Sequence, residues 1–169
     1  KPQFPFFKPI ELGDLETLHS IFWNYQPKTS EWTFTNFFIW RNYYHFEWTF
    51  YNDLLIFLSN PTGQNPYFLM PIGTSPRTES AKALLQWLKE EKKISDPSIQ
   101  KADERFAAEA SDDGSFLIEP QRNHFDYQYS SSELIALSGR KFHSKKNHVN
   151  RFERRYPSYR YISFGVEHV

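Results

Sequence analysis

Apolar residues recur along the chain with two different periods, which separate helical segments from strands. In residues 15–25 they recur every three or four positions, the spacing of a helix that buries one face. Asp14 stands where an N-cap is expected and Pro27 where the helix must stop. We predict further helices over residues 34–44, 78–93 and 103–110.

Strand patterns lie between these helices. The segments 45–51 and 54–59 flank Asn52-Asp53, a two-residue turn that is typical of a β-hairpin. Further strands are predicted over residues 67–72, 98–101 and 115–119. Two helices, a strand meander, another helix and more strands together predict a mixed α+β fold.

Two more helices are predicted in the last third of the chain. Ser130 and Glu133 have the spacing of a capping box, which predicts a short helix that ends near Gly139. A longer helix should run over residues 140–156, until Pro157 stops it. Residues 158–169 have the pattern of a strand.

Charge is distributed unevenly along a chain whose 20 basic and 20 acidic residues balance. Residues 140–160 contain eight Lys or Arg residues and one acid, Glu153, so this stretch carries about +7 and the rest about −7. Two interpretations stay open: a solvated helix face, or a platform for the phosphates of tRNA, a nucleotide or a lipid headgroup. The residues that would bind the anion are Arg140, Lys141, Lys145, Lys146, His148, Arg151 and Arg155.

A second constellation precedes the basic helix. Asp126 is a candidate general base for an amine nucleophile, with His124 or Tyr127 as the acid. The structural alternative is that Asp126 pairs with Arg122 or caps the next helix and that the tyrosines are core. Under either interpretation its aromatic neighbours should restrict water. The aromatic segment 32–40 is equally open, either as core or as a groove for an aromatic or acyl ligand.

Several site types are excluded by composition. The six glycines are far apart, so no glycine-rich phosphate loop is present, and no cofactor site is evident. No cysteine is present and the histidines lack ligand spacing, so no metal site is predicted. No apolar run approaches 18 residues. We expect a cytoplasmic protein, with peripheral attachment to a membrane as the alternative.

Three stretches in combination resemble a bacterial family of largely unknown role. They are Glu31-Trp-Thr-Phe-Thr-Asn36-Phe-Phe-Ile-Trp40-Arg41, Tyr67-Phe-Leu-Met-Pro71-Ile-Gly73, and residues 122–152. The family takes its name from the C-terminal domain of phosphatidylglycerol lysyltransferase. Its members carry two tandem GNAT-like (acyl-CoA N-acyltransferase) domains and are related in architecture to the Fem-type aminoacyltransferases.

The resemblance covers nearly the whole chain but only about the first half of a typical member. It implies a first GNAT-like domain over residues 1–129 and connecting helices, including the basic helix, over residues 130–157. Residues 158–169 would then be the opening strand of a second GNAT-like domain in cis. The family's Lys/Arg-Lys-Phe-His-x-Lys-Arg/Lys-Asn pattern maps onto residues 140–147, and its Asp-Tyr element onto Asp126 and Tyr127.

The activity implied by the resemblance is transfer of an acyl or aminoacyl group to an amine or hydroxyl. The donor in the full-length protein would be acyl-CoA or aminoacyl-tRNA. Because the donor and acceptor sites are expected mainly in the second domain, we expect this chain alone to be inactive. The alternative is a non-catalytic GNAT-like module that binds tRNA or an anionic envelope component.

Overall fold

The structure, a computed structural model, describes residues 1–163 and 165–166 of the chain. These residues separate into two compact units, Lys1–Asp126 and Tyr127–Val169. The expectation that a first domain ends at residue 129 stays a prediction.

A five-stranded mixed sheet forms the centre of Lys1–Asp126. Its strands lie side by side in chain order: β1 (Lys8–Pro9), β2 (Glu47–Tyr51), β3 (Leu54–Ser59), β4 (Tyr67–Leu69) and β5 (Ile99–Gln100). Only the last pair, β4 and β5, is parallel among the described strands. A parallel pair needs a crossover connection, and the helix between these two strands supplies it.

The predicted hairpin is confirmed. Tyr51 pairs with Leu54 at the end of the β2–β3 ladder, which leaves Asn52 and Asp53 as the two-residue turn. Both turn residues have positive φ, 49° and 60°, as a type I′ turn requires. Asparagine and aspartate tolerate this conformation better than other residues with a Cβ, so the local sequence determines the turn.

Four helices complete the unit: α1 (Leu15–Tyr25), α2 (Phe34–Tyr44), α3 (Arg77–Glu91) and α4 (Glu104–Asp113). All four were predicted. The Thr33 hydroxyl accepts a 3.2 Å bond from the Asn36 amide and so caps α2. The Asp103 carboxylate caps α4 in the same way, 2.9 Å from the Phe106 amide.

Both faces of the sheet are covered. Along β3, Leu55 and Phe57 join a cluster on one face that includes residues of α1 and α2. The alternate residues Leu54, Ile56 and Leu58 join a cluster on the other face with Leu84 and Leu88 of α3. This alternation is the period of two that a strand imposes, and it makes β3 buried throughout. The unit is therefore an α+β fold with a mixed sheet between helices.

Aromatic rings fill the larger cluster. The ring of Phe57 stacks on that of Phe37 with centroids 4.2 Å apart, and on that of Phe22 at 6.0 Å. Trp32 packs against the same ring at 6.3 Å. Of the two interpretations of segment 32–40, core packing therefore applies to Trp32, Phe34 and Phe37, which are buried.

The buried carboxylate of Asp14 ties β1 to the start of α1. One oxygen accepts from Lys8 Nζ at 2.7 Å, and the other accepts from the Glu11 amide at 2.9 Å and from Trp48 Nε1 at 3.2 Å. Burial alone would raise the pKa of Asp14, but these donors outweigh it and hold the pKa below its ordinary 3.8. Asp14 precedes α1 as predicted, although its side chain does not bond to the helix.

This shift predicts a pH-dependent loss of stability. A carboxylate with a lowered folded-state pKa stabilises the fold above its unfolded pKa, and that contribution disappears as the pH falls through the folded pKa. Asp14→Asn should therefore lower the free energy of unfolding by about 1.5 kcal/mol at pH 7. In urea titrations the difference from wild type should shrink as the pH falls from about 5 to about 2. A difference that is constant with pH would contradict this role.

The strand predicted over residues 115–119 is wrong. These residues run as an irregular segment, and Leu117 is almost fully exposed. Phe116 packs against the aromatic cluster, so its apolar character is used for packing without strand pairing. Residues 125–129 likewise form no strand.

The unit Tyr127–Val169 contains two short helices and little core. The helices are α5 (Ser131–Ala136) and α6 (His143–Arg155), and a 3-10 turn, Arg140–Phe142, leads into α6. Phe142 is the one large apolar side chain that is fully buried among the described residues of this unit. Both helices were predicted, but the capping box is wrong, because Glu133 bonds to Lys141 and Ser130 bonds to Ser132.

The end of this unit differs from expectation in two ways. Leu137, with φ 45°, takes the left-handed position that ends α5, while Gly139, with φ 83°, precedes the 3-10 turn. The strand expected over residues 158–169 stays a prediction. Residues 158–163 and 165–166 pair with no strand, and residues 164 and 167–169 lie outside the described residues. Within the described part of the chain, no helix is both long and apolar enough to cross a bilayer.

Candidate functional site

Helix α6 and the turn before it present a row of cations to solvent. All seven side chains predicted to bind an anion are exposed: Arg140, Lys141, Lys145, Lys146, His148, Arg151 and Arg155. Within the described part of the chain, only Lys141 of these seven forms an ion pair, with Glu133. The other cations therefore keep their charge available to a ligand. On a surface with equal numbers of acidic and basic groups, neighbouring carboxylates would neutralise that charge.

Contacts along the helix orient several of these groups. The Arg151 guanidinium lies 2.7 Å from His148 Nδ1, one turn away. The Lys145 ammonium sits 5.1 Å from the centre of the Tyr129 ring, and the Arg155 guanidinium 5.7 Å from that of Tyr156. Such cation–π contacts stabilise a charged group while leaving its donors free for hydrogen bonds.

The apolar side of α6 is not a core face. Helical spacing predicts that Phe142, Val149 and Tyr156 face the core, with Phe152 at the border between that face and the basic one. Of these, only Phe142 is buried; the other three side chains are each nearly half exposed. The helix therefore offers aromatic surface beside its cations.

Asp126 is bound to a distant loop. Its carboxylate accepts a 3.0 Å bond from the amide of Ser30, and the Ser30 hydroxyl lies 3.4 Å from the same oxygen. The amide nitrogen of the Asn36 side chain in turn bonds to the Ser30 carbonyl at 2.9 Å. The expected partner was Arg122, which instead lies 5.1 Å over the Phe125 ring. The last residue of the first unit is thus anchored to the loop before α2.

The candidate catalytic group is not assembled around Asp126. His124 and Tyr127 are exposed, as is Asp126 itself, so the expectation that aromatic neighbours exclude water there is wrong. In the described structure neither residue forms a hydrogen bond with Asp126. A catalytic role for these three residues stays a prediction.

A buried arginine, which the sequence did not single out, joins three helices. The Arg77 guanidinium, at the start of α3, bonds to both oxygens of Glu109 on α4 and to the Tyr25 hydroxyl at the end of α1. The Arg105 guanidinium lies over the Tyr25 ring, 4.4 Å from its centre, and bonds to Asp103 at 2.7 Å. Arg77 lies 52 positions from Tyr25 and 32 from Glu109, so no local pattern identifies these contacts.

The protonation states of this cluster follow from its surroundings. Burial raises the pKa of the Tyr25 hydroxyl above its ordinary 10.0, so Tyr25 stays neutral at physiological pH. Burial alone would lower the pKa of Arg77, but the bond to Glu109 and the nearby Tyr25, Glu109 and Asp103 together outweigh it and raise that pKa. Arg77 is therefore a permanent buried cation with its charge neutralised by Glu109.

A cleft of about 740 Å³ opens beside this cluster. The loop 73–76 and the start of α3 form one wall, and Tyr25, Arg105, Glu109, Asp112 and Asp113 line the rest. Two arginines and three carboxylates leave its lining with a net negative charge. A cleft with this charge does not suit a polyphosphate, even though a helix begins there.

Comparison with known proteins identifies the family. The family model described as "Phosphatidylglycerol lysyltransferase, C-terminal" matches residues 22–167, which is most of the chain. The chain belongs to this family. No curated protein matches it.

One similar solved structure is a conserved protein of unknown function from Bacteroides thetaiotaomicron VPI-5482. The two chains are 27% identical and align with a TM-score of 0.80 over 94% of this chain. The alignment covers 53% of the Bacteroides chain, so the present chain spans about half the length of that relative.

The lysyltransferase C-terminal family region contains the basic helix, the Asp126 anchor and the Tyr25–Arg77 cluster alike. The Lys8–Asp14 pair lies before it. All the polar groups with a candidate function therefore lie within the matched residues. The Lys8–Asp14 pair, which precedes them, has a structural role.

Proposed function

We propose that this chain is the N-terminal half of an acyl or aminoacyl transferase, with α6 as the binding site for the donor's phosphates. Lys1–Asp126 would be a GNAT-like domain, which its mixed sheet between helices supports. The acceptor would be an amine or a hydroxyl, as the family's lysyltransferase name suggests.

The observation that carries the proposal is the unbalanced charge of α6. Five Lys or Arg residues and a single acid, Glu153, occupy its 13 residues. Helix N-termini attract anions, but here the cations lie along the side and at the C-terminal end, where Arg154 and Arg155 also compensate the helix dipole. A row of flexible cations along one helix suits the repeated phosphates of an RNA better than a single anion.

The charge of the cleft beside Arg77 supports placing the phosphates elsewhere. Its two arginines are already bound by Glu109 and Asp103, and Asp112 adds a further negative charge. Of the two expected donors, aminoacyl-tRNA therefore fits the charge distribution of this chain better than acyl-CoA. The cleft's carboxylates would suit a cationic group.

A second domain in cis is part of the proposal. The unit Tyr127–Val169 leaves many large apolar side chains exposed, among them Tyr127, Ile135 and Tyr161, and buries Phe142 alone among its described ones. So small a unit with so little core is not stable by itself. The Bacteroides relative, about half of which lies outside the alignment, has the additional length that such a partner domain needs.

The test of the proposal removes three cations. The triple variant Lys141→Ala, Lys145→Ala, Arg151→Ala should bind a tRNA at least about tenfold more weakly than wild type. Each cation that contacts a phosphate releases a counterion from the RNA, and this favourable release is lost with the cation. The slope of log affinity against log salt should flatten by roughly one unit for each lost contact. Thermal stability should change little, because exposed charges contribute little to folding.

The matched control changes the same net charge elsewhere. Lys28, Lys89 and Lys92 are exposed and lie in the other unit, so their triple alanine variant should bind tRNA as wild type does. Equal losses in the two variants would mean general attraction of a polyanion and would contradict a site on α6. Unchanged affinity in both would make α6 an ordinary solvated face.

The second candidate function is a non-catalytic GNAT-like module that grips tRNA or an anionic envelope component. In the described structure Asp126 bonds to Ser30 and not to His124 or Tyr127, which favours it. The two functions separate in the full-length protein, where a transferase moves a labelled amino acid from tRNA to an acceptor and a binding module does not.

A further inference from the structure

A second cleft, of about 500 Å³, lies just beyond the C-terminal end of α6. The chain turns back there at Pro157, and the lining consists of Phe152, Arg155, Tyr156, Pro157, Ser158 and Tyr159. It lies entirely within the unit Tyr127–Val169. Its volume is within the range of small-ligand sites.

Three aromatic rings give this cleft its character. The Phe152 centroid lies 5.1 Å from that of Tyr156, at an interplanar angle of 46°, and 5.1 Å from that of Tyr159, at 67°. Each ring is about half exposed, so each still has surface available to a ligand. The Tyr159 hydroxyl bonds to Glu153 at 3.3 Å, which fixes the ring at the edge of the cleft. The rings contact one another, so a planar group would stack on the exposed face of one of them.

Cations stand immediately beside the rings. Arg155 lines the cleft itself, with its guanidinium 5.7 Å from the centre of the Tyr156 ring. Arg151 lies one turn earlier on α6 and is exposed. A ligand that fits both features has a planar aromatic ring joined to a negatively charged group.

We propose that this cleft stacks a base of a single-stranded nucleic acid whose phosphates lie along α6. The inference rests on the proposed function and adds to it a base-binding site with named residues. Aromatic side chains next to a basic surface are the usual means of binding single strands without sequence preference, because every base has a face for stacking. Phe152 and Tyr156 supply the faces, and Arg155 and Arg151 supply the charge.

A lipid surface fits the same residues less well. A helix that lies in a bilayer interface needs a continuous apolar face. Of the 13 residues of α6, only Val149 and Phe152 are apolar. The cations extend along the whole helix, whereas the rings gather at one end, which is the arrangement expected for a chain of phosphates with one base bound.

The experiment compares two labelled oligonucleotides of equal length and charge. One is a pentamer of adenosine nucleotides and the other is a pentamer with the same phosphates and no bases. Wild type should bind the base-containing pentamer about tenfold more tightly, because the stacking of one base contributes that much. Phe152→Ala and Tyr156→Ala should each remove most of this preference and leave the binding of the abasic pentamer unchanged.

Two matched variants make the result specific. Tyr156→Phe keeps the ring and should keep the preference. Tyr161→Ala removes a ring that is 91% exposed and lies outside the cleft lining, so it should behave as wild type. Circular dichroism checks that each variant keeps its helices.

The outcomes separate this inference from the proposed function. Equal binding of both pentamers by wild type would overturn base stacking and leave the phosphate site on α6 standing. Binding of neither pentamer would remove both. Phe152-dependent binding to vesicles that contain phosphatidylglycerol, without binding to the pentamers, would overturn the inference in favour of a lipid contact.

Discussion

Replacing Phe57 with alanine should lower the free energy of unfolding by about 4 kcal/mol, the largest loss that we expect from a single substitution. Phe57 is fully buried on β3, and its ring contacts those of Phe22, Phe37 and Trp32. Truncation removes the ring's transfer free energy and three ring contacts at once. It also leaves a cavity between rigid neighbours that cannot close around it.

The measurement is unfolding in urea. The slope of the free energy of unfolding against urea concentration should stay unchanged, which shows that the substitution changes only stability. Phe6→Ala is the control, since that ring is 77% exposed, and its effect should stay within about 0.5 kcal/mol. Phe57→Leu should recover about half of the loss, because leucine refills part of the cavity. Loss of less than about 1.5 kcal/mol in Phe57→Ala would show that the aromatic cluster is loosely packed.

Replacing Arg77 with methionine should lower the free energy of unfolding by about 2 kcal/mol. The substitution keeps a long side chain but removes the charge that neutralises Glu109 and the donor that bonds to Tyr25. A fully buried pair would lose more, but the Glu109 side chain is 45% exposed and can regain water. The lost stability arises where α1, α3 and α4 meet. Because the contact joins all three helices, the unit Lys1–Asp126 should still unfold in a single transition.

A double-mutant cycle with Glu109→Gln isolates the pair. The sum of the stability losses in the two single variants should exceed the loss in the double variant, because each single substitution leaves one partner unpaired. Arg122→Met provides the control, since Arg122 is exposed and lies over one ring, and it should change stability little. Additive effects of the two substitutions at residues 77 and 109 would show that the observed contact contributes nothing to stability.

Local signals explain which parts of the fold could be predicted. The helix over residues 34–44 and the hairpin at Asn52-Asp53 depend on groups within a few residues of one another, a threonine cap and two residues that accept positive φ. The alternation along β3 also reads directly from the sequence. In each case the signal and the structure lie in the same short segment.

The failures have the complementary cause. The segment 115–119 alternates as a strand does, but a strand also needs a neighbour with free backbone groups, which alternation cannot reveal. Ser130 and Glu133 have the spacing of a capping box, yet Lys141 competes for the glutamate from outside the helix. A side chain such as that of Glu133, which has two possible partners, does not show from its spacing alone which of them it will bond to.

The same distinction applies to the functional residues. The cations of α6 all lie within one segment of 13 residues, so the sequence predicted both the helix and its charge. The Tyr25–Arg77 contact spans 52 positions and the Ser30–Asp126 contact spans 96. Only the folded unit brings these residues together, and no spacing rule could have found them.

The distribution of tryptophan gives the two units different optical properties. All five indoles belong to Lys1–Asp126: Trp23, Trp32, Trp40, Trp48 and Trp87. Tryptophan emission therefore follows the unfolding of the sheet unit alone, whereas far-ultraviolet circular dichroism also follows α5 and α6. If the basic helix melts before the sheet, the dichroism signal will fall while the emission spectrum stays constant. A single sample can thus show whether the two units unfold as one.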